Sequence, residues 1–285
     1  MSDLIVRCSS IGKLMAKPEN ADLDPQYMTA KLAAVIAKTK RTEAEKALLD
    51  EARRNSLSAG AKTHVRDLVR EAVYGFEPAD VNTYPIRKGR EVEAECIALL
   101  AQLTGRPLAK NPERRTNGLI TGECDVWDAP IRHGRDIKAP YSMQSMPIAL
   151  ADAYDSGYEW QMQGYMILWD AERWSVDYVL VNTPEELIGY EPPALHCVDH
   201  IPAALRWTTW TLQRDRSLEP LIRAKVSAAR RYFREVLNEF DRTHRPAGAA
   251  TPPPWEPAAT PAKATTPAAP PAPTVAPGAI PAPAF

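Results

Sequence analysis

Two runs of strand-forming residues, separated by a turn, constrain the fold of this chain more than any other feature. Residues 119–127 alternate between polar and apolar side chains, as a strand with one buried face does. Residues 128–134 are rich in turn formers and lead into a second short strand at residues 136–138. The sequence therefore predicts a β-hairpin centred on residues 128–134.

This hairpin brings two carboxylates and a lysine together. Asp125 lies nearly opposite Asp136, Lys138 shares the face of Asp136, and Ile137 points to the other face. Facing carboxylates repel unless a positive charge lies between them, and one or two carboxylates plus a substrate phosphate satisfy Mg²⁺. Lys138 is then placed to orient or deprotonate an attacking water. Taken alone, an ordinary hairpin with a solvated Asp-x-Lys ion pair explains these residues at least as well.

An acidic residue at the edge of an apolar helix face is the second feature. Residues 87–100 read as one helix in which Val92, Cys96 and Leu99 recur at helical spacing. Glu93 falls at the edge of this face, where a carboxylate has a desolvation cost unless a metal or a base pairs with it. An ordinary amphipathic helix with a charged rim is the alternative.

A second strongly apolar helix is predicted over residues 160–169. It carries Gln161 and Tyr165 one turn apart on the same face. A glutamine in such a helix either binds a group in a site or is a buried amide satisfied by the backbone.

These elements, in this order, resemble the PD-(D/E)xK nuclease superfamily, most of all its phage-type branch of lambda exonuclease and YqaJ-like alkaline exonucleases. In that family a helix carries R-x-G-x-x-x-E, which Arg87, Gly89 and Glu93 match. A strand then carries G-x-x-D, which Gly122 and Asp125 match.

The resemblance continues along the next strand and helix. Asp136 and Lys138 match (D/E)-x-K, and Gln161 and Tyr165 match a Q-x-x-x-Y-like motif. The family pattern implies that the backbone carbonyl of Ile137 is a further metal ligand, and that Gln161 orients the water or the lysine.

Near the start of the chain, Arg7 and Ser10 match only loosely the segment with which such enzymes hold the DNA end and its 5′ phosphate. Together with Arg87 and Tyr165 they are the predicted DNA-binding residues.

The resemblance implies an α/β (α+β) fold with a central mixed β-sheet flanked by helices, as in restriction endonucleases. It implies a deoxyribonuclease that uses Mg²⁺, with Mn²⁺ able to replace it, and that digests linear double-stranded DNA ends 5′ to 3′ in phage-type recombination. A single-strand annealing protein is the expected partner, and analogy suggests a homo-oligomer, a trimer. The alternatives are a RecB-like or structure-specific endonuclease and a non-catalytic DNA-end-binding protein.

Charge and cysteine content argue against some classes of DNA-binding protein and of metal site. The chain has 35 basic and 36 acidic residues, a net charge of -1, which is not typical of a general DNA coat. Its four cysteines contain no C-x-x-C pair, which argues against a zinc ribbon or an iron–sulfur cluster. Cys96 and Cys124 are predicted to be buried. A reducing cytosol suits these thiols, and no signal peptide or membrane span is recognised.

The predicted organisation is a nuclease domain over residues 1–245 and a tail over 246–285. The nuclease domain divides into a helical part at 1–80, a catalytic core at 86–182 and a helical part at 203–245. The helical part at 1–80 is expected to hold two helices, at 31–54 and 62–74, which cover the sheet or wall a channel. The tail holds thirteen prolines and fourteen alanines and is expected to be disordered, since it has little apolar surface to bury.

The last helical part combines an apolar stripe with a basic surface. Residues 206–245 hold ten basic and five acidic residues. The arginines off the stripe are either phosphate contacts or a solvated face; they are Arg223, Arg230, Arg231 and Arg234.

Overall fold

A computed structural model describes residues 4–77 and 81–244 of the 285-residue chain. The strands are β1 (Val6–Arg7), β2 (Arg114–Thr116), β3 (Ile120–Glu123), β4 (Val126–Asp128), β5 (His133–Lys138), β6 (Arg173–Val179) and β7 (Trp207–Gln213). The helices are α1 (Ile11–Met15), α2 (Ala30–Ala37), α3 (Glu43–Arg54), α4 (Ala59–Tyr74), α5 (Tyr84–Glu91), α6 (Glu93–Thr104), α7 (Leu150–Ala153), α8 (Ser156–Trp169) and α9 (Glu219–His244). The predicted tail at 246–285 lies outside the described residues.

Two mixed sheets form the centre of the fold. The smaller has the order β1-β3-β2, with β1 parallel and β2 antiparallel to β3. The larger has the order β4-β5-β6-β7, in which β5 and β6 are parallel and the outer pairs are antiparallel. The mixed α+β class flanked by helices is confirmed, although the strands divide into two sheets where one was expected. β6 lies in the interior of the larger sheet, and five of its seven residues are buried.

Helices cover both faces of the larger sheet. On one face α1, α4, α8 and α9 enclose the main core, which contains Trp174 and Val176 of β6. On the other face α6 packs through Cys96, Ile97 and Leu100 against Ile137 of β5. Ile137 therefore points away from its two neighbours in the strand, as side-chain alternation predicts.

The strand predicted over residues 119–127 is divided between the two sheets. β3 ends at Glu123 and β4 begins at Val126, so Cys124 and Asp125 lie in the connection. The predicted hairpin exists, but its turn is shorter than 128–134 because Asp128 and His133 pair with each other. Arg132 closes the turn in the left-handed region, with φ 48°.

The predicted helix over residues 31–54 is likewise broken in two. Lys38, after α2, adopts an extended conformation, and Thr42 begins α3 by accepting a hydrogen bond from the backbone N–H of Glu45. The Glu45 carboxylate accepts in return from Thr42, so the two residues form a capping box. The cap at Thr42 starts a separate helix, although the helical propensity of the segment is continuous.

The helix expected over residues 87–100 also contains a break. α5 ends at Glu91, Val92 departs from helical geometry, and α6 starts at Glu93. As a result Glu93 lies in the first turn of its helix, where exposed backbone N–H groups favour a negative charge.

The predicted helical part over 203–245 is wrong in its first half. Residues 207–213, which contain two tryptophans and three threonines, form β7 and complete the larger sheet. The long amphipathic helix is confirmed as α9. Among the described residues no helix has both the length and the apolar character needed to cross a membrane.

Candidate active site

The break between β3 and β4 opens onto a groove of about 850 Å³. Asp136 and Lys138 of β5, Asp125 of the connection and Glu93 of α6 all line it. Residues that the sequence places far apart are thus brought to one surface.

Asp125 is held against β5 by its own side chain. Its Oδ2 accepts a hydrogen bond of 2.7 Å from the backbone N–H of Ile137. Val126 pairs with Arg135, so the register places Asp125 beside Asp136, as the sequence predicts. Its other oxygen, Oδ1, faces Lys110 at 3.3 Å.

The Asp136 carboxylate is buried, and nearby positive charge balances its negative charge only in part. The ammonium of Lys138 forms an ion pair with Oδ2 of Asp136, and no other described group donates to this oxygen. Burial raises the pKa of Asp136; Lys138 opposes the rise and Asp125 adds to it. Burial alone would lower the pKa of Lys138, but Asp136, Tyr158 and Asp125 together outweigh burial and raise the pKa. Lys138 also lies over the ring of Tyr158, 4.8 Å from its centroid.

Glu93 has a cationic partner that the sequence did not point to. Lys110, in the segment between α6 and β2, contacts both Oε1 of Glu93 and Oδ1 of Asp125. Burial raises the pKa of Glu93, Lys110 opposes that rise, and the nearby Asp125 adds to it. As expected, Glu93 is less exposed than Glu91 and Glu95. No periodic pattern marks Lys110, so only the fold reveals it.

Gln161 and Tyr165 reach the site from α8 on one face, as predicted. The amide nitrogen of Gln161 donates to Oδ1 of Asp136 and to the Tyr165 hydroxyl, each at 3.3 Å. The Tyr165 hydroxyl donates to the carbonyl of Glu123 at 3.0 Å, which ties α8 to the end of β3. Gln161 therefore contacts the Asp136 carboxylate. The family resemblance implied that Gln161 orients the water or Lys138, and its amide does not contact Lys138.

Gly122 of the predicted G-x-x-D motif has a packing role. A Cβ at this position would lie 2.5 Å from Cε1 of Tyr165 and 3.1 Å from Sγ of Cys8. The Tyr165 ring occupies this space and stacks on Trp174, with centroids 5.1 Å apart. Glycine is required here because an aromatic ring packs directly on the backbone.

A buried lysine, also missed from the sequence, supports the end of β5. The ammonium of Lys88 donates to the carbonyls of Pro140 at 2.7 Å, Val181 at 2.9 Å and Tyr141 at 3.2 Å. Burial lowers the pKa of Lys88 to about 8. Lys88 thus connects α5 to the segments that follow β5 and β6.

Three of the predicted DNA-binding residues lie apart from the carboxylates. Arg87 forms an ion pair with Glu91 at 3.6 Å and is not part of the groove lining. Gly89 and Arg90, further along α5, do line the groove. In the described part of the chain neither Arg7 nor Ser10 belongs to the groove lining. Their contact with DNA stays a prediction, and Tyr165 is the one of the four that lines the groove.

Several basic side chains offered as phosphate contacts serve the fold. Arg230 donates to the carbonyls of Leu4 and Gly118, and Arg231 donates to the carbonyl of Asn55 at 2.8 Å. These contacts favour the structural interpretation of Arg230 and Arg231. The guanidinium of Arg41, in the predicted helix at 31–54, likewise serves the fold by capping the end of α2.

The donor set suits a hard divalent cation, although no three His, Cys, Asp or Glu side chains of the described residues form a ready metal cluster. Mg²⁺ needs only one or two carboxylates, because it keeps several water ligands. Oδ2 of Asp136 is a buried carboxylate oxygen whose partner among the described residues is the Lys138 ammonium, and Asp125 lies beside Asp136 in the register. Oxygen donors of this kind fit Mg²⁺ or Mn²⁺ and not a thiolate-preferring metal.

Comparison with known proteins agrees with this geometry. No protein-family model matches the chain, and no curated protein matches it. Among solved structures, the phage-related exonuclease from Haemophilus somnus 129PT is 31% identical, with a TM-score of 0.67, covering 84% of this chain and 97% of that one. The alkaline exonuclease LHK-Exo from Laribacter hongkongensis shares the fold, at 14% identity and a TM-score of 0.52, over 84% of this chain and 92% of that one.

The identity and coverage of the first of these structures, together with the carboxylates and lysine of the groove, decide the family. The chain belongs to the phage-type, lambda exonuclease-like and YqaJ-like branch of the PD-(D/E)xK nucleases.

Proposed function

We propose that this exonuclease-family protein is a Mg²⁺-dependent deoxyribonuclease that digests linear double-stranded DNA from its ends, 5′ to 3′. One observation carries the proposal: Asp125 of the β3–β4 connection and Asp136 of β5 meet in one groove with Lys138. A phosphodiester is a dianionic target in the transition state, and this groove combines oxygen ligands for a cation with a fixed ammonium.

The metal would be held by Asp125, Asp136 and the carbonyl of Ile137, with Glu93 completing the site directly or through water. When bound, Mg²⁺ would polarise the phosphate and stabilise charge on the leaving oxygen. Mn²⁺, with similar ligand preferences, would replace it.

The protein side chains would then orient the reactants. Lys138, fixed between Asp136 and the ring of Tyr158, would position the attacking water or neutralise charge on the phosphate. Gln161 would keep Asp136 in its orientation through the 3.3 Å contact. The 3′ oxygen leaves, and the released nucleotide carries the 5′ phosphate, as the family resemblance implies.

The biological role we infer is DNA end resection in phage-type homologous recombination in the cytoplasm of a bacterial host. A single-strand annealing protein would take over the strand that remains. The support for this role is family membership, and the homo-trimer is proposed by the same analogy.

Linear duplexes labelled at the 5′ or the 3′ end, with and without a 5′ phosphate, test the proposal. Wild-type protein is expected to release labelled nucleotides with Mg²⁺ and none with a chelator. Asp125→Ala and Lys138→Ala are expected to lose activity by about a thousandfold or more, the scale of losing a charged group that acts in the transition state.

Closed circular DNA separates the alternatives. An end-dependent exonuclease leaves it intact, whereas an endonuclease nicks it. Full activity of either variant on linear DNA would overturn the assignment of the site, and retention of DNA without any product would indicate a binding protein.

A further inference from the structure

Lys110 is built into the site by its backbone. Its main chain pairs with that of Val126 at the start of β4. The next residue, Asn111, donates its backbone N–H to the carbonyl of Asp125 at 2.7 Å and its side-chain amide to the carbonyl of Cys124 at 3.2 Å. The segment carrying Lys110 is therefore fastened to the same connection that presents Asp125.

The ammonium of Lys110 lies between two carboxylates. It contacts Oε1 of Glu93 and lies 3.3 Å from Oδ1 of Asp125. Its side chain is 47% exposed and lines the groove. The contact thus joins α6 to the β3–β4 connection at the groove wall.

The groove lining holds more acidic than basic residues. The acidic residues are Glu93, Glu123, Asp125, Asp136 and Glu191, and the basic residues are Arg90, Lys110 and Lys138. Without Lys110, Glu93 and Asp125 would repel each other, because like charges at such distances disfavour a common site.

The oxygens that Lys110 contacts are among those proposed to hold the divalent cation. A divalent cation repels an ammonium that lies against the same carboxylate oxygens. Lys138 is held beside Asp136 over the ring of Tyr158, whereas the half-exposed Lys110 side chain has solvent into which to move. Binding of the cation at Glu93 and Asp125 would therefore displace the Lys110 ammonium.

We propose that Lys110 is a positioning residue: it holds Glu93 and Asp125 together in the metal-free enzyme and is displaced when a divalent cation binds. This inference rests on the metal site of the proposed function. As a consequence, removal of the Lys110 ammonium should strengthen metal binding.

Isothermal titration calorimetry of the full chain with MgCl₂, and separately with CaCl₂, measures this directly. For Lys110→Met the dissociation constant of the metal should fall about five- to tenfold, because the cation no longer has to displace a half-exposed ammonium from Glu93 and Asp125. Lys110→Arg keeps the positive charge and should bind within about twofold of wild type. Lys46→Met, which removes a lysine paired with Glu43 on the surface, should not change the constant.

Thermal melting supplies a second readout. The melting temperature of Lys110→Met should be lower than wild type in chelator and should rise more on addition of Mg²⁺, because a ligand that binds only the folded state stabilises it in proportion to its affinity. Lys110→Gln provides the same comparison if the methionine variant does not fold.

Equal or weaker metal binding by Lys110→Met and Lys110→Gln would overturn the role of Lys110. Asp125→Asn distinguishes this failure from failure of the metal site itself. If Asp125→Asn loses metal binding while the Lys110 variants behave as wild type, the lysine inference alone is wrong. If Asp125→Asn binds metal as wild type does, the proposed site is wrong.

Discussion

Oδ2 of Asp125 accepts a hydrogen bond of 2.7 Å from the backbone N–H of Ile137. Strand β4 starts at Val126, so its backbone no longer provides the partner for this donor on β5. The carboxylate satisfies the donor, and its second oxygen remains directed at the groove. One side chain therefore both fixes the break between the sheets and contributes to the site.

Asparagine and alanine at position 125 should separate these two roles. Both Asp125→Asn and Asp125→Ala are expected to lose nuclease activity. Asp125→Asn keeps an oxygen for the Ile137 N–H, whereas Asp125→Ala leaves that donor without an acceptor and should lower the free energy of unfolding by about 1–2 kcal/mol more. Urea unfolding of the two variants measures the difference, and equal stability would show that the hydrogen bond contributes little.

Gly122→Ala should disturb the site through Tyr165. The added Cβ would lie 2.5 Å from the tyrosine ring, so the ring and its hydrogen bond to Glu123 must shift. We expect a loss of about 1–3 kcal/mol in stability and at least a tenfold loss of activity. Gly60→Ala is the matched control, because nothing lies within 4 Å of its Cβ position. Equal behaviour of the two variants would contradict the packing argument.

Gln161→Glu should weaken the enzyme by placing a second negative charge next to Asp136. The wild-type amide donates to this buried carboxylate at 3.3 Å, and a carboxylate of the same shape would repel it. We expect a fall in kcat of about ten- to a hundredfold with a smaller change in KM, since the change lies at the reacting centre. Gln102→Glu, at an exposed position of α6, is the control. A lower affinity for DNA with kcat unchanged would instead indicate a substrate-binding role for Gln161.

Lys88→Met should be strongly destabilising. The variant would leave the carbonyls of Pro140, Tyr141 and Val181 without the donor they share. Loss of these charge-assisted hydrogen bonds should lower the free energy of unfolding by about 2–4 kcal/mol. Chemical denaturation checks this against Lys46→Met, where a surface ion pair is removed and a change below about 1 kcal/mol is expected.

His133 should make the protein less stable in mild acid. Burial, followed by Arg135 and Arg173, lowers the pKa of His133 from 6.5 to about 4, so the folded state holds the ring neutral. The unfolded chain binds a proton below pH 6.5, so this contribution to stability is complete above pH 6.5 and is lost as the pH falls towards 4. The loss is on the order of 2 kcal/mol after allowance for solvent screening.

Urea midpoints at pH 7, 5.5 and 4.5 measure this dependence. His133→Leu should show a shallower decline between pH 7 and 4.5 than wild type, whereas His200→Gln at an exposed position should follow wild type. Parallel curves for His133→Leu and wild type would show that other groups cause the acid sensitivity.

Local patterns predicted the elements that carry the site, but not where those elements end. Side-chain alternation placed Asp136 and Lys138 on one face of β5, and helical spacing placed Glu93 beside the apolar face of α6. The breaks at Thr42 and at Val92 were missed, because a capping box and one non-helical residue outweigh the propensity of the surrounding sequence. The strand β7 was missed because Trp207 and Trp210 lie on opposite faces, so its apolar residues do not recur with a period of two.

The amino-acid sequence by itself determined which residue types are available and on which face of a strand or helix they lie. That placed Asp136 and Lys138 on one face of a strand and Gln161 and Tyr165 one helical turn apart. The assignment of these residues and Asp125 to a nuclease site came from the family resemblance. The tertiary structure decided that Lys110 lies between Glu93 and Asp125, and that Lys88 joins three separate carbonyls. Those contacts depend on how distant segments pack around the two sheets, and a periodic pattern within one segment carries no information about that packing.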